Sequence, residues 1–334
     1  MAEKSVNVDL LIVGAGPSGL YGAYYAGFRG LSVAIVDSLP EIGGQVCAMY
    51  PEKLIFDVAG FPSIKGRDLV SQLAEQAASA DPTYLLDRTA SELQHDETTG
   101  GVRVELDDGT TVHAGAVIVT AGIGRFTPRE LPAASDWQGG GVSFFVPSFD
   151  PYVDKDVIVV GGGDSAFDWA QHLEPVARTV TLVHRRDKFR AHRATVDAVL
   201  GSSVKVLTKA NVSRLLGEHG LEEVDITNLE TEEVTRVKAQ AIVAALGFLA
   251  DLGPLREWGL ETSKRYVVVN SAMETNLPRI YAAGDVTDYP GKVRLIAVGF
   301  GEVATAVNNA AVAIDPDTSL FPGHSSDEPD GKAN

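Results

Sequence analysis

The chain has 334 residues, of which 45% are hydrophobic and 22% are charged. This length and composition predict about two globular domains and exclude a disordered or collagen-like chain. A net charge of −17 argues against nucleic acid and anionic membrane surfaces as partners, and no continuous apolar run reaches the roughly 18 residues of a membrane span.

The first predicted unit begins with an apolar strand at Val8–Val13 and the glycine-rich segment Gly14–Gly19. A helix is expected over Leu20–Gly27 and a second strand over Ser32–Val36, which ends in Asp37. This order is typical of a dinucleotide-binding βαβ unit, whose glycine loop and helix N-terminus hold a pyrophosphate. Because Asp37 can accept hydrogen bonds from a ribose diol and would repel a 2′-phosphate, it predicts FAD or NAD at this site.

The middle of the chain continues the first sheet and then repeats the first design. A hairpin is expected over Gln94–Thr111 and a buried strand over Ala114–Ala121. A second unit follows, with a strand at Asp156–Val160, a glycine segment at Gly161–Ala166, a helix through Leu173 and a strand at Thr179–Val183. Gly14 to Asp37 and Gly161 to His184 each span 23 positions. Two such motifs, each between a strand and a helix, indicate two dinucleotide-binding folds.

The second strand of the repeat ends in a basic cluster, His184-Arg185-Arg186, with Arg190 four residues further on. Guanidinium groups bind phosphate oxygens by charge-assisted hydrogen bonds, each worth roughly 1.5–3 kcal/mol. We therefore expect Arg185 and Arg186 to contact a 2′-phosphate. Two such contacts predict a preference for NADPH over NADH of roughly two to four powers of ten.

Two later segments complete the predicted architecture. Ala239–Gly247 has the form of a strand that returns to the second sheet, and Ile280–Asp285 closes the first domain. The fold class is α/β, with two Rossmann-like, three-layer dinucleotide-binding domains. Residues 122–248 form a domain inserted into a discontinuous one, which comprises 1–121 and 249–334 with a C-terminal extension at about 313–334.

These motifs resemble the two-domain flavoprotein reductases of the low-molecular-weight thioredoxin reductase type through about residue 312. The matching segments are Gly14–Gly19, Gly43-Gly44-Gln45, Gly161–Ala166, His184-Arg185-Arg186 with Arg190, and Ile280–Asp285. The family's Cys-x-x-Cys is missing, since its place reads Phe145-Val146-Pro147-Ser148. The one cysteine, Cys47, is expected to be a small buried side chain and cannot form a dithiol, so thioredoxin reduction is excluded.

A closer resemblance is to the ferredoxin–NADP reductases of the thioredoxin-reductase-like type. It is carried by the segments 45–53, 163–169 and 299–310 and by an extension with His324-Ser325-Ser326. The resemblance implies that 1–121 and 249–334 bind FAD, that 122–248 binds NADPH, and that Tyr50 and His324 cover the two flavin faces. The implied FAD contacts are Gly14, Gly16, Ser18, Gly19, Asp37, Gln45, Tyr50, Ala90, Phe126, Asp285, His324 and Ser326. The implied NADP contacts are Gly161, Gly163, Asp164, Ser165, Ala166, His184, Arg185, Arg186 and Arg190.

The implied activity is electron transfer between NADPH and a one-electron iron–sulfur carrier, ferredoxin or alternatively flavodoxin, by hydride transfer to flavin N5. No catalytic side chain is predicted because the flavin performs the chemistry, and no metal-ligand spacing is found. Two alternatives stay open: another NADPH-dependent flavin reductase of this fold acting on quinone, free flavin or a small disulfide, and a non-catalytic flavin-binding sensor.

The single cysteine fits a reducing cytoplasm, and the resemblance implies a homodimer. An acidic carrier would need a local basic patch on this acidic chain. The candidate cations are Lys53, Lys65, Arg67, Arg125, Arg129, Lys292 and Arg294. A helix beginning near Gly299–Gly301 is expected to point its positive end at the flavin.

Overall fold

The computed structural model describes residues 4–96 and 100–324 and divides into two compact units. The first unit comprises the described residues of Met1–Ala48, Lys53–Arg125 and Ala250–Asn334. The second unit comprises Met49–Glu52 and Phe126–Leu249. The chain thus changes unit after residues 125 and 249, whereas the sequence predicted the changes after 121 and 248, and it did not anticipate the short excursion at Met49–Glu52.

The described residues contain helices and strands in the following order along the chain. The α-helices are α1 (Pro17–Phe28), α2 (Gly44–Met49), α3 (Gly66–Ala78), α4 (Asp164–Leu173), α5 (Arg193–Leu200) and α6 (Ile296–Ile314). Short 3₁₀ helices lie at Pro132–Ala134, Asp150–Tyr152, Gly253–Trp258 and Gly284–Val286. The strands are β1 (Ser5–Val13), β2 (Val33–Asp37), β3 (Leu54–Ile55), β4 (Ile64–Lys65), β5 (Thr83–Leu86), β6 (Ala90–His95), β7 (Val102–Leu106), β8 (Thr111–Val119), β9 (Arg125–Pro128), β10 (Val142–Ser143), β11 (Asp156–Val160), β12 (Thr179–Val183), β13 (Lys205–Leu207), β14 (Ala210–Leu216), β15 (Glu223–Asn228), β16 (Val234–Lys238), β17 (Ala241–Ala244), β18 (Phe248–Asp251), β19 (Thr262–Ser263), β20 (Tyr266–Val268), β21 (Ile280–Ala282) and β22 (Thr287–Asp288).

The first unit is built on a mixed sheet in the order β5-β2-β1-β8-β7-β6. Strands β5, β2, β1 and β8 are parallel, whereas β8, β7 and β6 form an antiparallel meander where the sequence predicted one hairpin. Strand β8 pairs with β7 over Thr111–Ala114 and with β21 over Val117–Val119. Because parallel strands end at one edge, this arrangement brings the glycine loop after β1 beside Asp37 at the end of β2.

The core of the first unit explains why β1 is a continuous apolar run. Leu10, Leu11 and Ile12 are 0% exposed because β1 lies between β2 and β8 in the sheet and α1 packs against its face. Helix α1 also contacts α3 and α6. A strand buried on both faces has no polar alternation, which is why hydrophobicity alone located it.

The second unit contains the parallel sheet β10-β17-β11-β12-β13 and the antiparallel sheet β14-β15-β16. Alternate residues of β11 face opposite layers. Val157 and Val159 belong to a hydrophobic cluster with Phe167 of α4, whereas Ile158 and Val160 belong to a cluster with residues of β14 and β15. The parallel sheet is therefore sandwiched between helices and a second sheet. This three-layer arrangement confirms the predicted α/β fold class with Rossmann-like domains.

Helix α6 differs from its predicted starting position. It begins at Ile296, one turn before the expected start near Gly299–Gly301, so that prediction is wrong. By length and composition this 19-residue helix would qualify as a membrane span, with a mean hydropathy of 1.3 in its most apolar window. However, it packs on α1, β8 and β21 and carries the buried side chain of Glu302, as a core helix does.

Candidate functional site

The first glycine loop is tightly packed on one side and open on the other. Gly14 has a φ of +119°, and a Cβ there would lie 2.6 Å from the carbonyl oxygen of Thr120. A Cβ on Gly19 would overlap the carbonyl oxygen of Gly14. By contrast, a Cβ on Gly16 would have no atom within 4 Å. The loop therefore needs glycine for packing at two positions and leaves room for a ligand at Gly16.

Asp37 lies at the end of β2 and is anchored to the glycine loop. One carboxylate oxygen accepts a hydrogen bond from the N–H of Ala15 at 2.6 Å, and the other accepts one from the N–H of Leu39 at 2.8 Å. Burial raises the pKa of the Asp37 carboxyl, and these two backbone N–H groups oppose the rise. Each oxygen keeps a second lone pair, so the carboxylate can still accept from ribose hydroxyl groups.

The segment Gly43-Gly44-Gln45 closes over the same loop. The N–H of Gly43 donates to the carbonyl oxygen of Ala15 at 2.8 Å, and Gly44 has a φ of +53° with its Cβ position 3.1 Å from Gly16 Cα. The side-chain amide of Gln45 occupies the space where a Cβ on Gly122 would lie. Gln45 thus contacts Gly122 and directly follows Gly44, which packs on Gly16.

Asp285 and Ser18 lie at a third part of this site. Gly284 has a φ of +80°, and Cβ atoms on Gly284 or Gly299 would meet the hydroxyl of Ser18, at 3.0 Å in the case of Gly284. Ser18 thus fits between the Gly284–Val286 turn and the first turn of α6. Asp285 is half-buried, and burial raises the pKa of its carboxyl while Lys292 and Arg294 oppose that rise.

A buried charge network supports the Gly284–Val286 turn. Glu302 accepts a hydrogen bond from the N–H of Gly284 at 2.7 Å, and it also binds the ammonium of Lys292 and the hydroxyl of Tyr289. Lys292 donates a further bond to the carbonyl oxygen of Gly284 at 3.0 Å. Burial and the neighbouring Glu302 raise the pKa of Tyr289 to about 12. The turn that carries Asp285 is therefore held at both its N–H and its carbonyl group.

This network corrects one expectation about carrier docking. Lys292 was among the candidate docking cations, but its side chain is only 2% exposed, so that prediction is wrong for this residue. Arg294 is more accessible, with a side chain 32% exposed. Its guanidinium carbon lies 3.7 Å from the centre of the Tyr266 ring, and that of Arg265 lies 5.1 Å from it. These two arginines lie at Tyr266 on the surface of the first unit, and Arg294 also pairs with Asp288 at 3.6 Å.

The second glycine loop has the same organisation as the first. A Cβ on Gly161 would overlap the carbonyl oxygen of Ala245, whereas a Cβ on Gly163 would have no atom within 4 Å. Ala166 is fully buried, and its Cβ lies 2.8 Å from the Cβ position of Gly161. The open position thus falls at the second glycine in both units.

His184 packs over this loop. Its ring occupies the space where a Cβ on Gly162 would lie, and its Nε2 is 3.2 Å from the carbonyl oxygen of Lys188. Burial lowers the pKa of His184, and the neighbouring arginines lower it further, which favours a neutral ring near pH 7. The N–H of Arg190 donates to the carbonyl oxygen of Gly162 at 2.8 Å. The basic segment is therefore tied directly to the glycine loop.

A cavity of about 410 Å³ opens beside this basic segment. Its lining contains five cationic and two acidic side chains, so it is locally positive in a chain of net charge −17. The lining residues are Arg185, Arg186, Asp187, Lys188, Phe189, Arg190, Lys209, Leu229 and Glu230. The structure thus brings the three predicted arginines to one cavity. Lys209 and Glu230 were missed, since no motif in the sequence connects them to the arginines.

The remaining predicted residues have varied surroundings. Asp164 accepts a hydrogen bond from the N–H of His192 at 2.7 Å, and Ser165 is exposed in the first turn of α4. Tyr50 packs against the α4-side hydrophobic cluster of the second unit. Ala90 is buried at the start of β6, and the His324 ring lies 5.2 Å from that of Phe321 in an edge-to-face arrangement. The side chain of Phe126 and the whole of Ser326 lie outside the described residues.

Cys47 is partly buried, and burial raises the pKa of its thiol, which favours the unreactive protonated form. Within residues 4–96 and 100–324, no group of three or more His, Cys, Asp or Glu side chains is arranged to hold a metal ion.

The chain has two Rossmann-like units. One has an acidic residue at its strand end, and the other has an arginine-lined cavity. This combination is that of an oxidoreductase with two dinucleotide-binding domains. The chain belongs to the pyridine nucleotide-disulphide oxidoreductase family, whose model matches residues 8–313. It is 66% identical over 327 residues to a ferredoxin–NADP reductase of a Nocardioides species, covering 97% of this chain and 98% of the relative. It is 60% identical over 317 residues to a ferredoxin–NADP reductase of Frankia alni, covering 95% and 98%.

Solved structures support the same fold. The thioredoxin reductase of T. acidophilum superimposes with a TM-score of 0.76 at 28% identity, covering 91% of this chain and 98% of that one. The likeness therefore extends across both units, including the inserted one. This chain has one cysteine and therefore no dithiol.

Proposed function

We propose that this chain is an FAD-dependent oxidoreductase that transfers electrons between NADPH and ferredoxin. The observation that carries the proposal is the pairing of an open glycine loop anchored by Asp37 with a second open loop beside an arginine-lined cavity. Relatives of 57–66% identity over nearly the whole chain are named ferredoxin–NADP reductase. The same activity in this chain accounts for both nucleotide sites.

The first unit fits FAD. Gly16 leaves an unfilled space at the N-terminus of α1, where backbone N–H groups lack a side-chain cap and are available to a pyrophosphate. Asp37 would accept hydrogen bonds from the ribose. Gln45 contacts Gly122, and Asp285 belongs to the Gly284–Val286 turn that packs on Ser18. The full set of proposed FAD contacts is the one implied by the resemblance, including Ala90, Phe126, His324 and Ser326.

The second unit fits NADPH. Gly163 leaves the corresponding space for a pyrophosphate at the N-terminus of α4. Arg185, Arg186 and Arg190 line a cavity whose positive charge suits a 2′-phosphate dianion, because guanidinium groups donate paired hydrogen bonds to phosphate oxygens. A neutral His184 packed on Gly162 would hold the basic segment in place beside the nucleotide.

The chemistry is divided between the cofactor and the chain. When bound, FAD would supply the redox chemistry, which is acceptance of a hydride from NADPH and release of single electrons. The chain orients the two nucleotides, and its buried Lys292–Glu302 pair fixes the turn that presents Asp285. Because the chain has one cysteine, it holds no dithiol to receive the electrons. An external carrier must therefore take them.

Finer features of the proposal concern the carrier and the setting. Flavodoxin is proposed as a second carrier, and the protein is proposed to act in the cytoplasm as a homodimer. A group of half-buried aromatic rings on α1 and α6, Tyr21, Tyr24, Tyr25, Phe28 and Phe300, is consistent with a face that pairs with a second copy. Arg265 and Arg294 supply exposed cations of the kind an acidic carrier requires.

The proposal is tested with the purified protein and its natural cofactor. We expect a flavin absorption band that bleaches on anaerobic addition of NADPH but only weakly with NADH. We also expect cytochrome c reduction that depends on added ferredoxin. A preparation that does not bind FAD would overturn the proposal. Rapid turnover with quinone or free flavin and none with ferredoxin would instead favour the alternative flavin reductase.

A further inference from the structure

The arginine-lined cavity contains a cation that the proposed function does not use. Lys209 lies in the turn between β13 and β14 with a φ of +50°, uncommon for a residue other than glycine. Its carbonyl oxygen accepts a hydrogen bond from the N–H of Leu229 at 2.7 Å, and its N–H approaches the carbonyl oxygen of Arg186 at 3.4 Å. The backbone of Lys209 therefore joins the arginine segment to the β15–β16 turn.

The side chain of Lys209 is paired with an acid from the same cavity. Its Nζ lies 2.6 Å from Oε1 of Glu230, and the two side chains are 38% and 62% exposed. The hydrogen bond to Glu230 raises the pKa of Lys209, so the ammonium stays charged at neutral pH. The Glu230 backbone is held independently, because its N–H donates to the side chain of Asn228 at 2.9 Å. The turn thus keeps its backbone bonds when the ion pair is broken.

We propose that Lys209 is a further specificity-determining residue for the nucleotide 2′-phosphate and that Glu230 is its internal competitor. The inference rests on the proposed NADPH site. An exposed ion pair contributes little to stability, so its exchange for a phosphate dianion already bound by arginines is favourable. Before the nucleotide binds, Glu230 forms an ion pair with the Lys209 ammonium, and its negative charge repels the 2′-phosphate. Lys209 leaves Glu230 for the phosphate when the nucleotide enters.

Because the Lys209–Glu230 pair is exposed, a role in nucleotide binding can be distinguished from a role in stability. A buried pair would be required for the fold, whereas loss of an exposed pair in a turn secured by backbone bonds leaves the fold intact. Lys209 also has a matched control. Lys205, at the start of β13 in the same unit, is exposed and does not line the cavity. Substitution of either lysine changes the net charge equally.

The test uses the FAD-loaded protein and calorimetric binding of 2′,5′-ADP and 5′-ADP, which report on the 2′-phosphate without turnover. We expect Lys209→Met to weaken 2′,5′-ADP binding by roughly 2- to 5-fold and to leave 5′-ADP unchanged. Glu230→Gln is expected to tighten 2′,5′-ADP binding by roughly 2- to 5-fold. Lys205→Met should change neither. The dependence of 2′,5′-ADP binding on salt should become shallower in Lys209→Met, because one phosphate contact is lost.

Equal effects of Lys209→Met and Lys205→Met would overturn the inference, as would weaker 2′,5′-ADP binding in Glu230→Gln. Flavin absorbance and the thermal midpoint verify that each variant is folded. If Lys209→Met does not fold, the effect of Glu230→Gln on 2′,5′-ADP binding decides whether the inference holds. Failure of the proposed function gives a different result. In that case the unmodified protein binds 2′,5′-ADP no better than 5′-ADP, whereas failure of the inference alone leaves that preference intact.

Discussion

The two nucleotide-binding units place different side chains at the same structural position. In the first unit the residue at the end of the second strand, Asp37, bonds to the N–H of Ala15 in the glycine loop. In the second unit the equivalent residue, His184, packs its ring on Gly162, which is the counterpart of Ala15. One unit thus uses a carboxylate to hold its loop, and the other uses packing. Because of this difference, the strand that ends at the cavity of the second unit has no acid at its end, and the arginines make that cavity positive.

The third loop position shows a second difference. A side chain at Gly19 would overlap the backbone of Gly14, whereas Ala166 occupies that position in the second unit because its Cβ packs against Gly161. Helix α1 therefore approaches its loop more closely than α4 does. The second glycine, Gly16 or Gly163, has open space in both units. The comparison indicates that the shared requirement is room for a pyrophosphate, whereas helix packing is adjustable.

The largest expected effect comes from removing two arginines of the basic segment in the second unit. The double substitution Arg185→Ala/Arg186→Ala should reduce the NADPH over NADH preference by roughly two to four powers of ten, since two charge-assisted hydrogen bonds are lost. Steady-state kinetics with both nucleotides measure it. Lys205→Ala/Lys238→Ala, which removes two exposed cations elsewhere in the unit, is the control. An unchanged preference would show that the arginines do not read the 2′-phosphate.

The next effect concerns the buried pair of the first unit. Lys292→Met leaves Glu302 charged and buried, and we expect it to lower the free energy of unfolding of that unit by about 3–5 kcal/mol. Urea denaturation monitored by flavin absorbance measures the loss. The double variant Lys292→Met/Glu302→Gln should recover part of it, because the uncompensated charge is removed. Equal stability of the single and double variants would contradict this account.

A smaller effect tests the equivalence of the open glycines. Gly163→Ala should raise the KM for NADPH by roughly tenfold while FAD stays bound, since a methyl group would fill the pyrophosphate space. Gly16→Ala should weaken FAD binding instead. Gly140→Ala is the control, because its Cβ would also meet no atom within 4 Å and Gly140 is outside both glycine loops. If Gly163→Ala and Gly140→Ala have equal KM values, the space at Gly163 is not a ligand site.

The smallest expected effect concerns two aspartates at matching positions of β1 and β11. Asp9 and Asp156 each lie four residues before the end of their strand. Each accepts a hydroxyl hydrogen bond at the start of the next strand, from Ser32 just before β2 at 2.6 Å and from Thr179 of β12 at 2.7 Å. Asp156 additionally forms an ion pair with Arg178, whose hydrogen bonds lower the pKa of the Asp156 carboxyl.

A carboxyl with a lowered pKa stabilises the folded protein above the pKa of the unfolded chain, and this contribution disappears as the pH falls. Asp156→Asn should therefore lower the urea midpoint modestly at pH 7 and have no effect at a pH well below about 4. Asp9→Asn is the comparison and should have the smaller effect at pH 7. A cost of Asp156→Asn that is independent of pH would exclude the ion pair as its cause.

The strands of the two sheets were the most predictable part of the molecule. The bounds Asp156–Val160 and Thr179–Val183 agree with the structure because both segments are rich in β-branched residues and end at a glycine or a basic residue. The start of α6 was predicted wrongly because its glycines resemble a helix boundary. In the structure Gly299 allows close packing instead, since a side chain there would meet Ser18.

Charged side chains with distant partners were the least predictable. Lys292 has the sequence context of a surface lysine, and only its contact with Glu302, ten residues further on in another element, shows it to be buried. Lys209 and Glu230 are 21 residues apart and meet because two turns converge beside the arginine segment. Sequence patterns report local periodicity, whereas these pairs depend on tertiary convergence.

The interrupted path of the chain through the first unit has a consequence for biosynthesis. The second unit is complete once residue 249 has left the ribosome, but the first unit still lacks β21 and α6, which occupy residues 280–314. Helix α1 and the end of β8 would then expose apolar surface to the cell until translation finishes. We expect nascent chains stalled after residue 249 has emerged from the ribosome, but before β21 and α6 have, to carry a protease-resistant inserted unit and to recruit chaperones through the unfinished one.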